Sequence, residues 1–254
     1  MRRVSLLILM LLVTSCTGQL STVRQEVIRE EREEPSILIR RLTTFNERVS
    51  NLKADALIVY RDEEHTLSFR SDIMAYNNLE FFRVDLYDFV FKTPLVTMAK
   101  KDNDIVTVNY IKKEYFIKNI DQMDFERILG FDVPVDLLLN SVLAKVYLPD
   151  QNYEANQIDD YSLEINAPDR RQIINFNESL VPDGVQYTIQ ENDYDVRFDK
   201  HNQEGSSMFP LRITLRNKKR VLEINYFNVD LEAEPSGNEF LPGNIIPEGF
   251  TRID

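Results

Sequence analysis

The 254-residue sequence has one cysteine, seven glycines, two histidines and no tryptophan. A lone thiol closes no disulfide within the chain, so the hydrophobic core must hold the fold. His65 and His201 have no second histidine or cysteine at ligand spacing, which leaves no zinc motif. With so few glycines there is no GxGxxG, GxxxxGK or GxSxG segment, and the common phosphate loops and the nucleophile elbow drop out. Cations are scarce too: 30 Lys and Arg against 42 Asp and Glu give a net charge of −12. That balance disfavours nucleic acid and anionic headgroups as general partners, because such binding needs a surplus of cations. The mostly apolar run Val4–Val13 is shorter than the roughly 20 residues of a transmembrane helix, and no other run approaches that length.

Carboxylates are plentiful, yet pairs such as Asp159 and Asp160, or Asp193 and Asp195, are what 42 acids produce on solvated turns and strand faces. The series Glu191–Asp195 lacks the glycine and terminal glutamate of a calcium loop. No nucleophile and base are paired anywhere. A non-enzyme without catalytic residues, metal or cofactor is therefore expected.

What is present begins at the N-terminus. Arg2 and Arg3 precede the apolar run, which breaks into Thr14, Ser15, Cys16, Thr17 and Gly18, the order of an export signal with a small-residue cleavage site. The segment Val13-Thr14-Ser15-Cys16 resembles the lipobox of bacterial lipoproteins. By that resemblance residues 1–15 are removed, and Cys16 becomes the lipidated N-terminus. The alternative is an ordinary secretory site with an incidental cysteine. Loss of the leader leaves 28 cations against 42 acids, a net charge of −14. Residues 16–35 are polar and charged, and read as a tether ending at Pro35.

Residues 36–254 read as a single domain. Leu38, Leu42, Phe45, Val49 and Leu52 recur at spacings of three and four, which predicts an amphipathic helix over Ser36–Leu52. From Lys53 to Asn119 the period changes to two, and short strands with polar turns read as an antiparallel meander. Helices are predicted at Asp121–Leu129 and Pro134–Ala144, the second apolar on more than one face. Strands then resume at Ser162–Ile165, Arg170–Asn177, Gln186–Gln190, Tyr194–Asp199, Pro210–Arg216 and Arg220–Glu232, with a break at Pro182-Asp183-Gly184. Tyr147–Tyr161 reads as an insert, and Gly237–Asp254 as an extended docking tail. About a dozen strands with helices at the start and middle predict a mainly β, α+β fold: one strongly curved antiparallel sheet covered by helices.

The ordered pieces carry a family likeness. An amphipathic helix, Leu42–Val49, precedes the alternating strand Ala54–Tyr60; then come Phe82-Arg83-Val84-Asp85-Leu86-Tyr87, Thr93-Pro94-Leu95, a turn at Asp102-Asn103-Asp104 and the strand Tyr115-Phe116-Ile117. Phe209–Leu215 and Ile246-Pro247-Glu248-Gly249-Phe250 follow late in the chain. The pattern resembles the LolA/LolB superfamily of bacterial lipoprotein carriers and receptors, the LolB-type outer-membrane lipoproteins in particular. It departs from the receptor in its acidic surface, in Tyr147–Tyr161 and in having no tryptophan.

The resemblance implies an incomplete antiparallel β-barrel of about eleven strands, with helices as a lid over an apolar cavity. It implies an outer-membrane lipoprotein facing the periplasm that binds acyl chains of lipoproteins or lipids and helps insert them, receiving them from a periplasmic LolA-like carrier. Cavity-lining positions would be Leu57, Val59, Phe82, Val84, Leu86, Phe116 and Ile213 on strands and Leu137, Leu138 and Val142 on the helix. Filling a solid core is the alternative for each. Phe91, Pro94 and Leu95 are the candidate membrane-contact loop, with an ordinary strand connection as the alternative. At the level of function the competing expectation is an envelope scaffold whose acidic face recruits a periplasmic protein.

Overall fold

The computed structural model describes residues 35–122, 133–149, 151–201, 209–218, 220–234 and 236–253. These belong to one compact unit, Glu33–Asp254. The leader, Cys16, the tether and most of the expected Asp121–Leu129 helix lie outside the described residues; Ile120–Gln122 form one 3-10 turn.

Helix α1, Pro35–Glu47, opens the body. It stops earlier than its periodicity suggested, because Leu52 starts the first strand. Leu38, Leu42 and Phe45 form its buried stripe, and Phe45 meets the Phe198 ring at 6.4 Å. The meander follows as β1 (Leu52–Arg61), β2 (Thr66–Tyr76), β3 (Phe81–Asp88), β4 (Pro94–Lys101), β5 (Asp104–Asn109) and β6 (Glu114–Asn119). After α2 (Val135–Val142) come β7 (Glu154–Asp159), β8 (Ser162–Ala167), β9 (Arg170–Phe176), β10 (Pro182–Ile189), β11 (Asn192–His201), β12 (Pro210–Asn217) and β13 (Arg220–Asp230). The tail holds a 3-10 turn at Gly237–Phe240, the short α3 (Pro242–Ile245) and β14 (Thr251–Arg252).

These strands form one 14-stranded sheet ordered β14-β6-β5-β4-β3-β2-β1-β13-β12-β11-β10-β9-β8-β7. Every pairing is antiparallel except the parallel β14–β6 contact. Because β1 pairs with β13 in the middle, the two meanders join into one curved, open barrel whose edges are β14 and β7. The strand number exceeds the expected eleven partly because Glu154–Asp159, read as part of an insert, is the edge strand β7, and because two tail residues pair. Pro182-Asp183-Gly184 is likewise not a break: β10 begins there, with a register shift against β9 between Pro182 and Gly184.

Two apolar layers result. The main core fills the concave side and includes Leu38, Leu42, Leu137, Leu143, Val185, Phe198 and Ile213. A smaller core lies on the opposite face of β4–β6, where Ala99, Val106 and Val108 are covered by Ile245, Ile246 and Phe250 of the tail. Arg83 Nη1 donates to the Glu239 carbonyl at 2.9 Å, and Phe81 meets Phe240 at 5.4 Å, so the tail is docked along its length. Among the described residues no helix is long and apolar enough to cross a membrane.

Candidate functional site

The concave side is not packed evenly. Between α2 and the strands β13-β1-β2-β3-β4 lies an apolar cavity of about 110 Å³. Register places its wall: Ile58 pairs with Phe69 and Ile224, Tyr60 with Leu222, Ile73 with Val84, and Val84 with Met98. Phe82, Leu86 and Val96 complete the strand wall, and Leu138, Leu139 and Val142 form the roof. Among the described residues no charged side chain lines it. The one polar residue among them, Tyr60, turns its hydroxyl to Asp62 Oδ2 at 3.2 Å; burial, then the Asp62 carboxylate, raises the phenol above its ordinary value.

Among the expected lining residues, Phe82, Val84, Leu86, Leu138 and Val142 face this cavity. The other five do not. Leu57 and Val59 point to the opposite face, because the run Ala56-Leu57-Ile58-Val59-Tyr60 is apolar at every position and its parity is set by pairing, which turns Ile58 and Tyr60 inward. Phe116 pairs with Thr107 on the concave side, but near the open edge, half-buried, with the Lys118 ammonium 5.7 Å from its ring centroid. Leu137 and Ile213 are each 1 % exposed and belong to the solid part of the core.

The roof helix is short, and side chains hold it at both ends. Its first-turn Asp136 accepts from Arg170 Nη1 of β9 at 2.6 Å, while the same guanidinium stacks on Tyr147 at 4.0 Å and pairs with Asp169 at 2.8 Å. At the other end Tyr226 Oη donates to the Val142 carbonyl at 2.7 Å. Burial pushes the Tyr226 phenol well above its ordinary value, which keeps it a donor. Ala144 then takes a left-handed φ of 55°, the usual way for a helix to end. Asn46 of α1 bonds both backbone groups of Val146, donating to its carbonyl at 2.7 Å and accepting from its N–H at 3.0 Å. These ties went unread in sequence because each joins residues far apart in the chain.

A polar cleft adjoins the roof at the end where β2 turns into β3. Asn77, Asn78 and Leu79 there all have positive φ, from 51° to 72°, and Lys100 Nζ donates to the Leu79 carbonyl at 2.6 Å. Burial lowers the Lys100 ammonium below its ordinary value and pushes Lys145, which donates to Asn78 Oδ1, down to about 8. No group of His, Cys, Asp and Glu among the described residues could hold a metal.

The candidate contact loop lies at the opposite end of the strands. Phe89 to Thr93 form the β3–β4 turn, with Val90 70 % and Phe91 82 % exposed. Asp88 Oδ1 accepts from the N–H groups of Val90 and Phe91 at 3.0 and 2.7 Å, which ends β3 and holds the tip out. Pro94 is exposed and Leu95 half-buried where β4 starts, so the projecting apolar residues are Val90 and Phe91.

Neither a protein-family profile nor a curated protein sequence matches the chain. Solved structures do. A LolA superfamily protein from Nitrosomonas europaea superposes with a TM-score of 0.57 at 15 % identity, covering 82 % of this chain and 98 % of its own. A putative outer membrane lipoprotein-sorting protein domain from Vibrio parahaemolyticus gives 0.59 at 11 %, covering 83 % and 97 %. A DUF1329 family protein from Desulfovibrio piger gives 0.60 at 8 %, covering 84 % and 98 %. At these identities the likeness concerns the fold.

Proposed function

Taking the LolA/LolB-like fold as the premise, we propose that the protein binds acyl chains of lipoproteins or lipids under α2 and passes them to the membrane that holds it. The observation that carries this reading is the uncharged apolar cavity roofed by a helix tied at its ends. The anchor is a lipidated Cys16 in the outer membrane, with the body in the periplasm, a LolA-like carrier as donor, and Val90 and Phe91 touching the bilayer. No catalytic step is needed. An acyl chain is costly in water, and a dry pocket of intermediate affinity suffices to relay it.

The size of the cavity sets the mechanism. About 110 Å³ is less than the roughly 150 Å³ that holds a benzene, and well below the roughly 300–1,000 Å³ of ordinary ligand sites. A long chain therefore enters only if α2 yields. Lifting Leu138, Leu139 and Val142 off the wall costs at most about 1.5–3 kcal/mol each. At about 0.8 kcal/mol per buried methylene, roughly 6–11 methylenes offset that cost. Uptake of fluorescent fatty acids should therefore show a chain-length threshold in this range. Binding that is absent at every length would overturn the proposal.

A second reading, a scaffold recruiting a periplasmic partner, is favoured by the excess of acids, 42 Asp and Glu against 30 Lys and Arg. Salt-sensitive capture of one protein, with no acyl uptake, would select it. Anchoring is tested separately: Cys16→Ala should move the protein out of the membrane fraction, and retention there would refute the lipid anchor.

A further inference from the structure

The β5–β6 turn stands beside the β3–β4 tip and repeats its design. Asn109 Oδ1 accepts from the N–H groups of Ile111 and Lys112 at 3.1 and 3.0 Å, as Asp88 does for Val90 and Phe91. Strand pairing makes the two tips neighbours, with Val96 opposite Asn109 and the Tyr110 N–H donating to the Leu95 carbonyl at 3.0 Å. Tyr110 is rooted in the outer core, edge-on to Phe250 at 5.7 Å, so what projects is Ile111, 73 % exposed, with Lys112 and Lys113.

The charge on these tips is opposite to that of the chain. Between the flanking acids Asp88 and Glu114, residues 89–93 and 110–113 carry Lys92, Lys112 and Lys113 and no acid, in a protein of net charge −12. Large apolar side chains held out in water by rigid turns, ringed by lysines, fit an interface whose outer layer is anionic and whose next layer is hydrocarbon. Glu63 and Glu64 on the β1–β2 turn, at the same end, oppose such a surface and confine the contact to the β3–β6 side.

We propose that the β3–β4 and β5–β6 tips together form a membrane-docking face, with Ile111 a second apolar wedge and Lys92, Lys112 and Lys113 selecting a leaflet of anionic lipid. This rests on the reading that Val90 and Phe91 touch the bilayer. It refines the expectation from net charge, since a local cluster of cations contacts headgroups that the whole surface repels. It also places the docking face at the end of the strands away from the cleft beside Lys100.

The single cysteine makes the test direct. In the full chain carrying Cys16→Ala, one cysteine is introduced by Ile111→Cys, Phe91→Cys or, as control, Asp160→Cys in the β7–β8 turn at the far end of the strands, and each is labelled with an environment-sensitive dye. With phosphatidylglycerol-containing vesicles the dye at 111 and at 91 should shift to the blue, more weakly at high salt, while the dye at 160 should not. Lys112→Gln with Lys113→Gln should weaken vesicle binding roughly 30-fold, about fivefold per lysine. A silent dye at 111 beside a responding dye at 91 overturns this inference and leaves the reading of the β3–β4 tip intact. Silence at both overturns that reading as well. An equal response on purely zwitterionic vesicles, or a response that needs an added protein, overturns the choice of an anionic leaflet as partner.

Discussion

Leu137 and Leu138 are adjacent in α2 and nearly equal in burial, 1 % and 7 % exposed, but only Leu138 faces the cavity. Truncating each to alanine removes the same atoms. In a close-packed core the cost runs from about 2.7 to 5.0 kcal/mol, rising with the void left behind. Leu138 already lacks partners on its cavity side, so it forfeits fewer contacts and should sit near the lower end, at about 3 kcal/mol. Leu137, packed on all sides, should cost about 4–5 kcal/mol. The difference, about 1–2 kcal/mol, corresponds to roughly 2–8 °C in melting temperature for a domain of this size. Leu138→Ala also enlarges a void of about 110 Å³ toward the roughly 150 Å³ that accepts benzene. Benzene should therefore raise the melting temperature of Leu138→Ala and leave that of Leu137→Ala unchanged. Chemical denaturation reads the two costs, and thermal unfolding with and without benzene reads the stabilisation. Equal costs for the two variants, or stabilisation of Leu137→Ala by benzene, would refute the placement of the cavity.

Arg170→Met keeps the bulk on Tyr147 and removes the tie to Asp136; since Asp136 and Asp169 are 41 % and 58 % exposed and can rehydrate, the cost should be about 1–3 kcal/mol. Hydrogen exchange should quicken in α2 while β10–β12 stay protected, and fatty-acid uptake should speed up; unchanged exchange in α2 would show that Arg170 does not hold the roof. Lys145 supplies a pH test. Its folded value of about 8 lies below the ordinary 10.5, so between these pH values the unfolded chain binds more protons and stability rises with pH. Above about pH 10 the buried Tyr187 and Tyr226, both shifted upward, act in the opposite sense. Lys145→Met should abolish the rise from pH 8 to 10 and raise stability below pH 8; an unaltered profile would contradict the burial argument.

What could be read in the chain follows from how local each signal is. The 3.6-residue stripe of α1, the alternation of β2 and β3 and the apolar faces of α2 are written in neighbouring residues, and they yielded the curved antiparallel fold with helices on it. Where an apolar run has no polar face, as in Ala56–Tyr60, parity is decided only by pairing with β2 and β13, which turns Leu57 and Val59 away from the cavity they are expected to line. The polar strand β7 carries too little hydrophobic pattern to be recognised, and a bulge at Pro182 looks like a turn. The ties on α2 and the segment after it join Asp136 to Arg170, Val142 to Tyr226 and, beyond the helix, Asn46 to Val146, separations of 34, 84 and 100 residues that no local pattern encodes.

The central claim is that the space under α2 admits an acyl chain. Native mass spectrometry of the protein from a lipid-rich host, beside Val84→Trp, tests it most directly, since Val84 lies on the cavity wall opposite the roof. The parent should carry adducts with the mass of an acyl-bearing molecule, or take up added palmitate one for one, and the tryptophan variant should do neither while remaining folded. A parent that is ligand-free and refuses palmitate, or a variant that binds as well as the parent, would contradict the account.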